Sequence, residues 1–83
     1  MNEFETLDKI NINEECIVID ILFDNKFSQR MNDIGIIENS KIKVLFKSIF
    51  NDPTAYLIKD SIIAIRNNDA KKILVRRLNN EKK

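Results

Sequence analysis

Apolar residues recur along this chain at two different spacings. Over residues 16–23, Ile17, Ile19, Ile21 and Phe23 fall on one side of an extended segment. Cys16, Val18, Asp20 and Leu22 make a more mixed second side, and the strict period of two predicts a strand. Alternation returns over residues 41–50, where Ile42, Val44 and Phe46 are predicted to point inward and Lys41, Lys43 and Lys47 outward. Between these segments the period changes. Phe27, Met31 and Ile34 stand at i, i+4 and i+7, one stripe of a short helix whose Lys26, Gln29, Arg30 and Asp33 face solvent. Residues 54–59 and 61–66 predict two further strands, and residues 73–78 a last one. Over residues 6–13, Leu7, Ile10 and Ile12 stand among polar neighbours and predict a short turn that lays them on the core.

Turn chemistry fits these boundaries. Asp24 and Asn25 break the first strand and can cap the helix. Gly35, the only glycine, stands where a residue just past a helix end takes positive φ at no steric cost. Asn39, Asn51-Asp52-Pro53 and Asp60 mark the remaining turns, and Asn67-Asn68-Asp69 can cap one helical turn through Lys72. Five short strands, tight turns and one inserted helix predict a small β-barrel rather than an open sheet. Closure would remove the edge strands that so small a domain must otherwise protect. Residues 1–5 and 79–83 lack the apolar pattern and are expected to be flexible.

Composition narrows the function. A chain of 83 residues makes one domain, burying only ~60–65% of the surface its unfolded state exposes. There is no histidine, which removes the commonest general base, and one glycine cannot build a phosphate-cradling loop. Adjacent Glu14 and Glu15 point to opposite sides of an extended segment. The reading is therefore non-enzymatic, with no cofactor. The scattered carboxylates show no metal-ligand spacing, and the lone Cys16 heads an apolar run as a small buried hydrophobe. The start of the chain has no apolar signal segment, and no apolar run reaches the ~20 residues of a membrane span. A cytoplasmic location without direct membrane insertion is expected.

The net charge is only +1, yet its distribution is uneven. Residues 1–24 hold seven acidic side chains against Lys9, and residues 71–83 hold six basic ones against Glu81. Opposed ends of this kind suit a fold in which the first and last strands lie side by side. The total is less basic than a nucleic-acid-binding domain usually is, so no nucleic-acid partner is expected.

The order of motifs resembles the FeoA family, small accessory domains of bacterial ferrous iron transport. The family pattern is roughly Arg-Leu-x-Asp-Leu-Gly-Leu-x-Pro-Gly followed by an alternating strand, and Arg30, Met31, Asp33, Ile34, Gly35 and Ile36 match it. Glu38-Asn39 replaces the usual Pro-Gly. Asn51-Asp52-Pro53 is similar to the family's Gly-Asp-Pro turn, Ile63-Ala64-Ile65-Arg66 to its Ala-Leu-Arg strand, and residues 68–75 to its Glu-Ala-x-x-Ile-x-Val ending. Asn and Asp stand at Asn39, Asn51 and Asp60, where the family usually has glycine; they are the side chains best suited to positive φ. The resemblance covers residues 6–78. It implies an SH3-like barrel that engages the cytoplasmic GTP-binding part of a FeoB-type membrane transporter. Similar barrels end metal-dependent repressors of the diphtheria-toxin-repressor type, but no helix-turn-helix precedes this one, so a complete repressor is not expected.

On that reading the contact surface is the outer side of the helix and its neighbourhood: Arg30, Asn32, Asp33, Leu45, Lys47 and Tyr56. Arg30 and Asp33 are three apart and can instead pair with each other on a solvated helix face. The alternative is a generic SH3-like module for a proline-rich peptide or for nucleic acid, the latter through Lys41, Lys43 and Lys47. The chain has no tryptophan and one tyrosine, which makes a poor aromatic groove.

Overall fold

The computed structural model describes residues 4–22 and 24–78. In chain order the elements are β1 (Phe4–Thr6), a 3₁₀ turn (Leu7–Lys9), β2 (Glu15–Ile21), α1 (Asn25–Asp33), β3 (Lys41–Lys47), β4 (Thr54–Ile58), β5 (Ser61–Ile65), α2 (Asn67–Ala70) and β6 (Ile73–Arg77). All six strands join one antiparallel sheet in the order β1-β6-β2-β3-β4-β5. The mainly β architecture with one short inserted helix is the one expected, but closure is corrected: the six-stranded sheet is open, with β1 and β5 unpaired on their outer sides, because no ladder among the described residues joins the first strand in the order to the last.

The additional strand is β1, formed by Phe4 and Glu5, which the sequence pattern leaves flexible, together with Thr6. Phe4 pairs with Arg76 and Thr6 with Leu74. Charge holds this edge: Arg77 donates through Nε and Nη2 to the two carboxylate oxygens of Glu5, at 3.1 and 2.9 Å, and through Nη1 to Glu14 at 2.6 Å. The acidic start and basic end of the chain therefore meet as the charge distribution predicts. Phe23 and residues 1–3 and 79–83 lie outside the described residues.

In β2 the core takes the mixed side. Cys16 and Val18 are fully buried, whereas Ile17 and Ile19 are only half-buried. Register decides this, because Cys16 lies opposite Ile42 and Val18 opposite Val75, both core residues. A shift between Val18 and Asp20 then adds one residue, and Ile21, opposite Ile73, returns to the core. A strict period of two cannot anticipate an inserted residue. The same event in β3 corrects Phe46. Ile42 and Val44 point inward as expected, but the register shifts between Val44 and Phe46, and Phe46 is 56% exposed. The strand also stops at Lys47, so Ile49 and Phe50 belong to the following turn. Leu7 and Ile10 reach the core from the first turn, while Ile12 stays exposed.

Helix α1 follows its sequence signals. The Asp24 side chain accepts from the Phe27 N–H at 3.0 Å, and Phe27 and Met31 are buried, but Ile34, the third member of the predicted stripe, falls at the C-cap and is 37% exposed. Beyond the helix, Gly35 N–H donates to Asn32 O at 3.0 Å and Ile36 N–H to Met31 O at 2.8 Å, the paired bonds of a Schellman motif. Gly35 has φ +97°, and Ile36 and Met31 bury together in the core. Asn39 and Asn51 have φ of 74° and 66°, as their turn roles require, and Pro53 follows a cis peptide bond. Asp60 is corrected: the positive φ of the β4–β5 turn, 57°, falls on Lys59. That turn has two residues, and a type II′ hairpin places its positive φ at the first.

An alanine Cβ at Gly35 would meet Ile58 Cγ2 at 3.6 Å, an ordinary contact, so backbone conformation alone opposes the substitution. Gly35→Ala is expected to lower unfolding free energy by about 1 kcal/mol in urea denaturation. Unchanged stability would remove the conformational argument at this position.

Candidate functional site

Helix α1 and strand β5 frame an open cleft of about 450 Å³. Met31 lines it from the helix, Ile34 from just past the helix end, and Ala64 and Ile65 from the strand. Four charged residues surround this apolar floor: Arg30 and Asp33 from α1, Arg66 after β5 and Asp69 in α2. Two positive and two negative side chains leave the rim neutral. Arg30 Nη2 lies 3.4 Å from Asp69 Oδ2, so Arg30 reaches across the cleft to α2. Pairing with Asp33 along the helix is not the contact formed. The Arg30 guanidinium and the Lys72 ammonium also stand over the Phe27 ring, 5.6 and 5.0 Å from its centroid. An apolar floor with a rim of both charges suits the grip of a protein surface; no nucleophile and base converge on it.

The sequence-predicted contact residues do not form one patch. Arg30 and Asp33 share this cleft. Asn32 lines another hollow, with Asp20, Ser28 and Glu38. Leu45 and Lys47 lie on β3, Leu45 half-buried and Lys47 exposed. Tyr56 is corrected: at 1% exposure it belongs to the core, opposite Val44. Burial pushes its phenol up to about 12, against a lowering hydrogen bond with Thr54. Ala64, Arg66 and Asp69 complete the cleft from 30 to 40 residues further along the chain; the sequence places them in a strand motif and a helix cap, and nothing local marks them as partners of α1.

The lysine face proposed for nucleic acid is partly neutralised. Lys41 and Lys43 line a hollow with Lys59, but Glu15 sits in it, 3.7 Å from Lys41 Nζ. Nor does the donor set suit a transition metal. The chain has no histidine, and the described residues gather no group of three or more cysteine, aspartate or glutamate side chains. Burial pushes the Cys16 thiol up to about 12, far from the thiolate a metal needs.

Residues 5–77 match the FeoA domain. The chain belongs to the FeoA family. Its fold is similar to an FeoA-like protein from Clostridium acetobutylicum at 26% identity and a TM-score of 0.88, covering 100% of this chain and 96% of that one. An iron uptake regulatory protein, also an FeoA, superposes at 22% identity and a TM-score of 0.83, over 92% of this chain and 99% of its own. A zinc-complexed FeoA from Stenotrophomonas maltophilia, 18% identical with a TM-score of 0.73, covers 84% of this chain and 87% of that one. It is described as a procaryotic SH3 domain protein and a candidate ferrous iron transport activating factor. The FeoA fold seen here is thus SH3-like. It also recurs in a manganese-dependent transcriptional repressor, where 94% of this chain matches 44% of that one at 20% identity and a TM-score of 0.81. No curated protein sequence matches.

Two measurements check the chemistry of this FeoA domain. Because the Cys16 and Tyr56 pKa values rise on folding, from ordinary values of 9.0 and 10.0, both groups favour the folded state while protonated. Their contribution is full below pH 9 and is lost as pH climbs to about 12. Unfolding free energy should fall across that window, and Cys16→Ala should remove the part of the fall that begins near pH 9. In a second measurement, thermal melts with Zn²⁺ or Fe²⁺ should show no shift. Tight binding at 100 times the dissociation constant would add ~2.7 kcal/mol.

Proposed function

We propose that this FeoA domain is a cytoplasmic accessory protein of ferrous iron transport. It docks on the GTP-binding portion of a FeoB-type membrane transporter and modulates it. The family match, which spans nearly every described element, carries this reading. The cleft supports it, offering an apolar floor and a charged rim for a protein partner. No described helix is long and apolar enough to cross a membrane, so membrane action would pass through that partner. On this reading the chain supplies neither hydrolysis nor metal ligands. Its effect is differential contact with one conformation of the transporter. Arg30 and Asp33 make the central contacts, and Asn32, in its own hollow, and Leu45 and Lys47, on β3, add contacts at separate positions.

The test is the double substitution Arg30→Glu with Leu45→Glu. Folding should survive, since Arg30 is exposed and Leu45 half-buried at a bulge. Binding to the soluble GTP-binding portion, measured by calorimetry, should weaken at least tenfold, or ~1.4 kcal/mol. Unchanged affinity of a folded double variant would take this surface out of the interface.

A further inference from the structure

The two edges of the sheet are guarded unequally. Edge strand β1 is three residues long, and its Glu5 is held by Arg77. Edge strand β5 runs over five residues, Ser61–Ile65, with no charge, no proline and no bulge against β4. Short, charged or bulged edges resist pairing with another chain, and a regular uncharged one favours it.

The hairpin fixes which backbone groups of β5 face outward. The β4–β5 turn has two residues, so Ile58 and Ser61 beside it form a hydrogen-bonded pair. Bonded and non-bonded pairs alternate along an antiparallel ladder. Tyr56–Ile63 is therefore bonded, and Leu57–Ile62 and Ala55–Ala64 are not. The N–H and C=O groups of Ile62 and Ala64 point away from β4, and no turn or loop bond among the described residues uses them. Both residues are exposed, Ile62 by 64%.

We propose that β5 pairs antiparallel with β5 of a second copy of this chain, joining two six-stranded sheets about a two-fold axis at Ile63. One register satisfies the outward backbone of both copies. Ile62 faces Ala64 of the second copy, Ala64 faces its Ile62, and each pair exchanges two hydrogen bonds. This register also sets a large side chain beside a small one at both pairs. Further out, it sets Asp60 opposite Arg66 of the second copy and Arg66 opposite its Asp60. Both are exposed, and neither has an ion-pair partner within the chain among the described residues. A shift of two residues either way separates these opposite charges. Bonding groups, side-chain sizes and charges are thus complementary to themselves, which identifies a second copy rather than a foreign strand. The contact is short, at the small and reversible end of protein interfaces. Ala64 and Arg66 border the cleft from its strand side, whereas Arg30 and Asp33 border it from the helix, so the inference does not rest on the docking reading.

The experiment is sedimentation equilibrium of the full chain from micromolar to millimolar concentration, beside Asp60→Arg, Arg66→Asp and the two combined. Thermal melts first establish that the variants fold alike. The wild-type chain should dimerise. Each single reversal should weaken association about tenfold, because symmetry turns two attractive pairs repulsive at once, and the combined swap should regain it. Hydrogen exchange at high concentration should show the Ile62 and Ala64 amides protected. Ile62→Lys, a charge on the exposed edge, carries the same test should a reversal disturb folding, and should keep the chain monomeric. A wild-type chain that stays monomeric overturns the proposal. So does a dimer indifferent to the reversals, not regained by the swap, or with freely exchanging Ile62 and Ala64 amides. Protection of those amides only on adding the soluble GTP-binding portion would give the edge to that partner and overturn pairing between copies.

Discussion

The chain reversal at Gly35 sets the geometry of everything around it. Met31 O accepts from Ile36 N–H, so the residue after the helix is aimed back at the core rather than away from it. The next turn depends on that direction. The Ser40 hydroxyl accepts from Ile37 N–H at 3.0 Å and donates to Gly35 O at 3.1 Å. Val18 and the Asn39–Ser40 pair then exchange backbone bonds, Val18 N–H to Ser40 O and Asn39 N–H to Val18 O. These bonds deliver β3 alongside β2 in the register that buries Cys16 against Ile42. The β2–β3 pairing is short, so the connection, not the ladder, determines where the strands meet. A residue with a Cβ at position 35 strains the point on which this sequence of contacts rests.

Elements and their kinds are plain in the sequence because propensity, period and turn chemistry agree there. Asp24, Asn39 and Asn51 each do what their side chains favour, and Gly35 does what the lack of one allows. The misread strand faces have a single physical origin. A bulge adds one residue to a strand and exchanges its two sides, and both long strands contain one. Phe46 is thereby expelled and Ile21 admitted, although neither residue differs from its neighbours in any way that pattern alone could register. Tyr56 was misplaced for a different reason. A tyrosine hydroxyl invites a surface role, but this one stands in an apolar strand opposite Val44, and its hydroxyl has Thr54 as a partner.

The site was half legible. Arg30 and Asp33 are visible as the outer face of an amphipathic helix next to a motif. The other half of the cleft comes from β5 and α2, whose approach to the helix is a tertiary event. Long-range charge was easier to read than long-range shape. Seven acidic residues near one end and six basic residues near the other imply a meeting, and Arg77 between Glu5 and Glu14 is that meeting. Attraction between opposite charges survives ignorance of the path, whereas a cleft exists only once the path is known.

The β1–β6 edge has a mechanical consequence. Phe4 lies opposite Arg76, so the chain enters β1 at the same end of the ladder from which it leaves β6. Tension applied through the two ends would peel β1 away one hydrogen-bonded pair at a time instead of shearing the whole ladder at once. Arg77, with both Glu5 oxygens in its grip, sits at the end where that peeling starts. The domain is fastened by a latch at the mouth of a zipper: firm against thermal fraying, and weak against a pull that first opens one ion pair.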